Sequence, residues 1–167
     1  MTRASQADDL SPRRLRDAFG CFATGVTVVT TLNGEGAPVG LTANSFTSVS
    51  LDPPLLLFCV DVASRRAPTF RAAPRFAVNV LHAGQEALST RFARSTADGF
   101  TDLAWETLAG CPVLSDAMAT FVCASHADYA GGDHAVILGR VEQLRFDQTP
   151  DPLVYFQGRY RSVHVPD

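Results

Sequence analysis

One stretch of fifteen residues, Gly40 to Pro54, constrains the fold more than any other part of the sequence. Polar and apolar side chains alternate along it, which favours an extended segment with one apolar face and one hydrogen-bonding face. The prolines at its end exclude helical geometry from the residue before them. Two interpretations are equally open: the wall of a flat, polar-edged ligand site, or a threonine-rich edge strand that contacts only water. The polar positions are Thr42, Asn44, Ser45, Thr47, Ser48 and Ser50, and the apolar ones are Leu41, Phe46, Val49 and Leu51.

Charge and composition restrict the class of protein. The 167 residues are 46% hydrophobic and 19% charged, which is typical of one globular domain. The net charge is −3 and lysine is absent, so a basic nucleic-acid-binding surface is not expected. No apolar run reaches the length of a membrane span, and the first ten residues lack the apolar core of a signal peptide.

The cysteines and histidines show no metal-binding pattern. Four widely spaced cysteines have mostly apolar neighbours and form no Cys-x-x-Cys pair, which favours reduced, buried thiols in a cytoplasmic protein over disulfides or zinc. The histidines also lack the spacing of metal ligands, so we expect no metal site. These residues are Cys21, Cys59, Cys111 and Cys123, and His82, His126, His134 and His164.

The order of predicted elements indicates a mainly β fold. A flexible tail over residues 1–10 precedes a single domain over residues 11–167. A helix is predicted from Ser11 to near Gly25, with Leu15, Phe19 and Phe22 on one stripe. The turn Asn33–Gly36 joins the strand Val26–Thr31 to the next strand in a hairpin. Further strands are predicted at Leu55–Val60 (buried on both faces), Phe76–Leu81, Ala119–His126, Ala135–Phe146, Leu153–Phe156 and Tyr160–Val163, with helices opening at Ser64 and spanning Gly84–Ala93 and a long loop over residues 94–115.

These strands outnumber the helices, and their hairpin-like spacing predicts a closed antiparallel barrel with a few helices packed on it. Gly139 lies inside a long strand and suggests a bend or bulge. No serine-nucleophile elbow or dinucleotide-binding glycine motif is present, but an enzyme with neither a metal nor a nucleophile can still be a cofactor enzyme.

Two local patterns could bind a ligand. Ser64 at a helix opening, followed by Arg65 and Arg66, combines backbone N–H groups with positive charge, as an anion site does. A capped surface helix with solvated arginines is the better interpretation of that pattern alone. His134 follows Gly132 and Asp133 at the start of a strand, where glycine permits close approach; a histidine that caps a turn is the simpler interpretation.

Taken together, these segments resemble the flavin reductase family of FMN-binding split barrels, the small reductase partners of two-component flavin-dependent monooxygenases. The resemblance extends from about residue 15 to residue 163. It is carried, in the family's order, by the motifs GVTVVTT, GLTANSFTSVSLDPPLL, FAVNVL, RFA, GDHAVILGRV and PLVYFQGRY.

The resemblance implies a split β-barrel, FMN or FAD as flavin, NADH or NADPH as reductant, and a homodimer with sites at the interface. It also implies roles for named residues. The flavin ring and ribityl chain would contact Thr42, Ala43, Asn44 and Ser45, largely through backbone groups, with Ser48 and Ser50 along the same wall. Ser64, Arg65 and Arg91 would bind the phosphate, and Tyr160 would lie near the flavin edge. Gly132, Asp133 and His134 would contact the nicotinamide nucleotide, with His134 as the catalytic residue.

The implied function is hydride transfer from a nicotinamide nucleotide to flavin, which then passes to a separate monooxygenase. Many relatives carry Ser-x-Thr where this chain has Ser64-Arg65-Arg66, and the extra arginine could strengthen phosphate binding or favour FAD. Two alternatives stay open. One is an oxidase that resembles pyridoxamine-phosphate oxidase, and the other is a flavin-binding module without turnover.

Overall fold

The computed structural model describes residues 10–94 and 99–163. Residues 1–9 of the predicted tail (residues 1–10) and His164 lie outside the described residues. Within them the helices are α1 (Pro12–Phe19), α2 (Ala67–Ala72) and α3 (Glu86–Ala93), with a 3-10 turn at Ala83–Gln85. The strands are β1 (Thr24–Gly25), β2 (Thr27–Leu32), β3 (Pro38–Ala43), β4 (Thr47–Leu51), β5 (Pro54–Asp61), β6 (Arg75–Val80), β7 (Trp105–Leu108), β8 (Cys111–Leu114), β9 (Ala119–Gly131), β10 (His134–Phe146), β11 (Val154–Phe156) and β12 (Arg159–Arg161).

A seven-stranded antiparallel sheet forms the body of the protein, in the order β3-β2-β6-β9-β10-β5-β4. Its first and last strands, β3 and β4, are consecutive in the chain and are joined by only the three residues Asn44–Phe46. Three residues span at most about 11 Å, so the sheet must curl until its two edges come close. The fold is therefore the mainly β, barrel-like architecture that the sequence predicts.

The core lies inside this curled sheet. Aromatic side chains dominate it, and Phe58 contacts Phe70 and Phe76 edge to face at centroid distances of 5.9 and 5.1 Å. The pleat of β5 explains part of this packing, because alternate residues of that strand are buried. The prediction that β5 is buried on both faces is therefore wrong: one face packs on the core and the other does not.

Asn79 on β6 is a fully buried polar residue with its hydrogen-bonding groups in use. Its amide donates to the Val28 carbonyl (2.9 Å) and to the Thr30 hydroxyl (3.1 Å), and its oxygen accepts from Leu114 N–H (3.0 Å). Because Leu114 ends β8, the Asn79 side chain ties the β7–β8 hairpin to the sheet.

Gly139 lies where the β9–β10 ladder shifts register, as its place inside a long strand predicts. A Cβ atom there would lie 2.4 Å from the Phe76 ring and 2.7 Å from Cys123 Cβ. The position therefore requires glycine because of packing, and not only because of backbone flexibility.

Several predicted boundaries are wrong, each because of tertiary pairing. Helix α1 ends at Phe19, not near Gly25, since the chain turns so that Thr24 pairs with Tyr155 of β11. Phe19 and Phe22 are 71% and 77% exposed in the single chain, so the helix stripe is not a core face. Strand β9 continues to Gly131, beyond its predicted end at His126, because it pairs along β10. The predicted loop over residues 94–115 contains the β7–β8 hairpin.

The stretch from Gly40 to Pro54 is not one continuous extended segment. It is divided between β3 and β4, which lie at opposite edges of the sheet order, with Asn44–Phe46 crossing between them. Across residues 10–94 and 99–163, no helix combines the length and apolar character needed to cross a membrane.

Candidate functional site

A cleft of about 560 Å³ opens at this crossing between the two sheet edges. Four parts of the chain contribute to it: the end of β3 with the crossing, the end of β5 with the turn after it, the C-terminal end of α3, and the first residue of β10. The lining includes the predicted site residues Thr42, Ala43, Asn44, Ser45, Ser64, Arg65 and His134. Segments far apart in sequence thus meet at one site.

Two hydroxyl groups here, of Thr42 near the end of β3 and of Ser45 in the crossing, form hydrogen bonds with backbone groups of neighbouring elements. Thr42 Oγ1 donates to the Ser89 carbonyl of α3 at 2.6 Å. Ser45 Oγ accepts from Cys59 N–H of β5 at 2.9 Å. These bonds fasten the crossing to its neighbours on both sides. The exposed Asn44 side-chain amide is a polar group of this segment that a ligand could meet, whereas the Ala43 carbonyl already accepts from Thr27 Oγ1 at 2.7 Å.

The turn after β5 brings two adjacent arginines, Arg65 and Arg66, to the cleft, and they differ in the hydrogen-bond partners of their side chains. The Arg66 guanidinium donates to the carbonyls of Phe92 (2.7 Å) and Arg94 at the end of α3, and burial lowers the pKa of Arg66. Arg65 is exposed and forms no hydrogen bond or ion pair within the described parts of the chain. Arg65 is therefore the arginine available to an anion.

The backbone of this turn differs from the predicted helix opening. Helix α2 begins at Ala67, and the N–H groups of Ser64, Arg66 and Ala67 already donate to Asp61 O, Ser64 Oγ and Ser64 O. The expectation of several free N–H groups at a helix start is therefore wrong. These N–H groups of the turn are thus used within the turn itself, while the Arg65 side chain is exposed and has no partner in the described residues.

His134 also lines the cleft; it pairs with Asp61 at the start of the same turn and follows a two-residue hairpin loop in which Gly132 has φ +73°. Its Nδ1 is 2.8 Å from a carboxylate oxygen of Asp133. This hydrogen bond lowers the pKa of Asp133. A carboxylate only accepts hydrogen bonds, so Nδ1 carries the proton and Nε2 is the acceptor of the neutral ring.

A second cleft, of about 940 Å³, shares Asn44 and His134 with the first. Arg16 and Phe19 of α1 and Tyr155 of β11 border it on the other side. Thr24 also borders it, and its buried Oγ1 has no hydrogen-bond partner among the described residues. His134 is thus positioned between two ligand-sized spaces.

Four predicted flavin-contact residues are not part of the cleft lining. Ser48 and Ser50 lie on β4, where they pair with Leu56 and Leu55 of β5. The remaining two, on α3 and β12, contact other protein groups: Arg91 donates to Thr101 O, and Tyr160 OH is 2.8 Å from Ser89 Oγ. Their roles in ligand binding stay predictions.

Sequence reasoning also missed lining residues, chiefly Cys59, Asp61 and Phe92. Cys59 and Asp61 lie at the end of a predicted strand, and their position beside the crossing depends on how the sheet closes. Of the other thiols, Cys111 and Cys123 are buried as predicted, and burial raises their pKa values to about 11 and about 12. Cys21 is exposed, which contradicts the prediction for that residue. Among the residues described, no group of three or more His, Cys, Asp or Glu side chains could hold a metal ion.

Comparison with known proteins decides the family. The family model described as "Flavin reductase like domain" matches residues 19–164. The chain belongs to this family. A flavin reductase like domain therefore spans nearly the whole sequence, and the resemblance inferred from the six motifs is confirmed.

Individual relatives agree with this assignment. A "Probable flavin reductase" of Rhizobium meliloti is 52% identical over 136 residues, which cover 81% of this chain but only 44% of that protein. The "Flavin-dependent monooxygenase, reductase subunit HsaB" of Rhodococcus jostii is 38% identical, covering 98% of this chain and 84% of its own length. The solved structure of the NADH:FAD oxidoreductase SgcE6 of Streptomyces globisporus, with NAD and FAD fragments, is 42% identical with a TM-score of 0.87 and covers 94% of each chain.

Proposed function

We propose that this chain is an NAD(P)H-dependent flavin reductase that supplies reduced FMN or FAD to a separate monooxygenase. The observation that carries the proposal is the cleft at the β3–β4 crossing, which both Arg65 and His134 line. Relatives described as a monooxygenase reductase subunit and as an NADH:FAD oxidoreductase support the activity.

The cleft fits a flavin in size and chemistry. Its volume of about 560 Å³ lies in the usual range for small-molecule sites. Backbone groups from Thr42 to Ser45 and the Asn44 amide would meet the polar edge of the ring, and Arg65 would pair with the phosphate. When bound, a flavin accepts a hydride from a stacked nicotinamide ring without a metal or a protein nucleophile.

His134 would bind the nicotinamide nucleotide, and Asp133 would position it. The Asp133 carboxylate holds the Nδ1 proton, which leaves Nε2 of the neutral ring as the hydrogen-bond acceptor for a ligand. An acceptor there suits the amide N–H₂ of a nicotinamide. His134 is shared by both clefts, which would let it contact a second ligand beside the flavin. Gly132 would contribute the tight turn and close approach, not a side-chain contact.

The domain over residues 11–167 would act as a cytoplasmic homodimer. Phe19 and Phe22 are more than two-thirds exposed and both border the second cleft, so a second copy covering them would complete the site. With a second copy present, the residues outside the cleft lining of the single chain could contact a flavin as predicted; these are Ser48, Ser50, Arg91 and Tyr160. Reduced flavin would then pass to the monooxygenase as a separate protein.

The test is a turnover assay with purified protein, NADH or NADPH, and FMN or FAD added in turn. Flavin-dependent loss of the reduced-nicotinamide absorbance is the expected result. Binding of flavin without turnover with either nucleotide would refute the reductase and leave a non-catalytic flavin-binding module. Oxidation of pyridoxamine phosphate would instead favour the oxidase alternative.

A further inference from the structure

Ser89 on α3 connects two parts of the chain that border different clefts. It is fully buried, and its backbone carbonyl accepts the hydrogen bond from Thr42 Oγ1, beside the cleft at the crossing. Its own hydroxyl lies 2.8 Å from the hydroxyl of Tyr160 on β12. One residue of α3 therefore holds both the segment that leads into the crossing and the C-terminal hairpin formed by β11 and β12.

This C-terminal hairpin forms a wall of the second cleft. Tyr155, Gln157 and Gly158 of the hairpin line that cleft, whereas Tyr160 lines neither of the two clefts. Tyr160 and Tyr155 are paired directly across the two strands, and their rings meet edge to face at a centroid distance of 5.4 Å. Tyr160 thus contacts a wall residue without bordering the ligand space itself.

The C-terminal hairpin needs such a tie because its sheet is small. It belongs to the three-stranded sheet β1-β11-β12, in which β12 is an edge strand and β1 has only two residues. On the side of β11, Tyr155 pairs with Thr24, and Gln157 N–H donates to the Gly20 carbonyl at 2.9 Å. On the side of β12, the hydroxyl of Tyr160 joins the edge strand to α3.

We propose that Tyr160 is a positioning residue whose hydroxyl, held by Ser89, fixes the C-terminal hairpin as a wall of the site for the nicotinamide nucleotide. The inference rests on the proposed function, which places that nucleotide at His134, a residue that also lines the second cleft. The resemblance implies a different role, in which Tyr160 lies near the flavin edge. The two roles predict different effects of removing the Tyr160 hydroxyl.

The size of the effect follows from the bond that is lost. A hairpin released from α3 must be ordered again when the nucleotide binds, so the loss of affinity cannot exceed the contribution of the hydrogen bond. For one hydrogen bond between neutral groups that limit is about fivefold in a binding constant.

The first variant is Tyr160→Phe, which removes the hydroxyl and keeps the ring packed on the buried cluster that includes Leu153. The KM for NADH should rise about fivefold, the limit set by the hydrogen bond. The kcat and the Kd for FMN should each stay within about twofold, because the hydroxyl does not touch the reacting atoms and Thr42 keeps its bond to the Ser89 carbonyl. NADH oxidation with saturating FMN gives KM and kcat, and flavin fluorescence titration gives Kd.

Removing the other end of the bond tests whether Tyr160 acts through Ser89. Ser89→Ala should raise the KM for NADH as much as Tyr160→Phe does. The double variant should be no worse than either single one, because all three lack the same hydrogen bond. Amide hydrogen exchange in residues 154–161 should be faster in all three variants than in the unaltered protein.

The matched control is Tyr129→Phe. Tyr129 lies on β9, is 58% exposed and is outside the lining of both clefts. The same loss of a tyrosine hydroxyl there should leave KM, Kd and exchange in the C-terminal hairpin unchanged. Circular dichroism and thermal melting show that each variant is folded.

Three outcomes would overturn the inference. A higher Kd for FMN in Tyr160→Phe with unchanged NADH kinetics would make Tyr160 a flavin contact. Effects of the two single variants that add in the double variant would mean that Tyr160 does not act through Ser89. Unchanged KM for NADH in both single variants would mean that this hydrogen bond does not support the nucleotide site. Absence of turnover in the unaltered protein would instead refute the proposed function.

Discussion

Adjacent arginines in the turn after β5 should have opposite effects when each is replaced by methionine. Arg66 donates two hydrogen bonds to the C-terminal carbonyls of α3, and such charge-assisted bonds contribute about 1.5–3 kcal/mol each. Partial exposure screens them, so we expect Arg66→Met to lower the free energy of unfolding by about 2 kcal/mol. That loss corresponds to a melting temperature lower by about 4–8 °C for a domain of this size.

Arg65→Met should change stability by less than about 0.5 kcal/mol, because this side chain is exposed and has no partner in the described residues. Its effect should fall on the flavin phosphate instead. We expect roughly tenfold weaker binding of FMN and unchanged binding of riboflavin, which lacks the phosphate.

The assay combines urea unfolding of the flavin-free proteins with titrations of FMN and riboflavin. Methionine keeps most of the aliphatic bulk of arginine, so packing loss contributes little to either variant. The reasoning is refuted if Arg65→Met unfolds as easily as Arg66→Met. It is also refuted if Arg66→Met retains full stability and loses FMN affinity selectively.

Three further predictions concern the barrel, the site and the buried thiols. Gly139→Ala should lower the free energy of unfolding by about 1–3 kcal/mol, since the new Cβ meets the Phe76 ring. The control is Gly34→Ala, which has open space around it and should be nearly neutral in the same urea experiment. His134→Ala should raise the KM for NADH much more than the Kd for FMN; unchanged NADH kinetics would remove His134 from the nucleotide site. The folded-state pKa of Cys111 is raised, to about 11, so its stabilising contribution is complete below the unfolded-state pKa near 9 and is lost as pH rises towards 11. In chemical-unfolding measurements, the free energy of unfolding of Cys111→Ala should fall less steeply with pH above 9 than that of the unaltered protein. An equally steep fall would show that Cys111 is not a source of this pH dependence.

Local patterns in the sequence predicted those parts of the fold that depend on near neighbours. The β2–β3 hairpin follows from the β-branched run Val26–Thr31 and the Asn33–Gly36 turn after it, and the structure pairs β2 with β3. The bulge near Gly139 follows from glycine inside a long strand. The hairpin depends on interactions between neighbouring strands, so the sequence pattern is sufficient there; the pattern also locates the bulge, although the packing of Phe76 against Gly139 comes from a distant strand.

Boundaries set by distant partners could not be predicted in this way. Helix α1 has an apolar stripe that would suit a longer helix, yet the chain turns at Gly20 because Thr24 pairs with Tyr155. The role of Arg66 is also set by partners that are distant in sequence. Its sequence neighbours suggest an anion site, while its acceptors, Phe92 and Arg94, are more than twenty-five residues away.

The crossing at Asn44–Phe46 has two structural tasks. Its three residues join the two edges of the sheet, and Asn44 and Ser45 also line the cleft, so the segment must be held firmly at both sheet edges. Thr42 and Ser45 supply that hold through Ser89 and Cys59. A hydroxyl-rich segment beside a cleft therefore need not present its hydroxyls to a ligand: here the Thr42 and Ser45 hydroxyls fix the backbone, and flavin contact by this segment, largely through its backbone groups, stays a prediction.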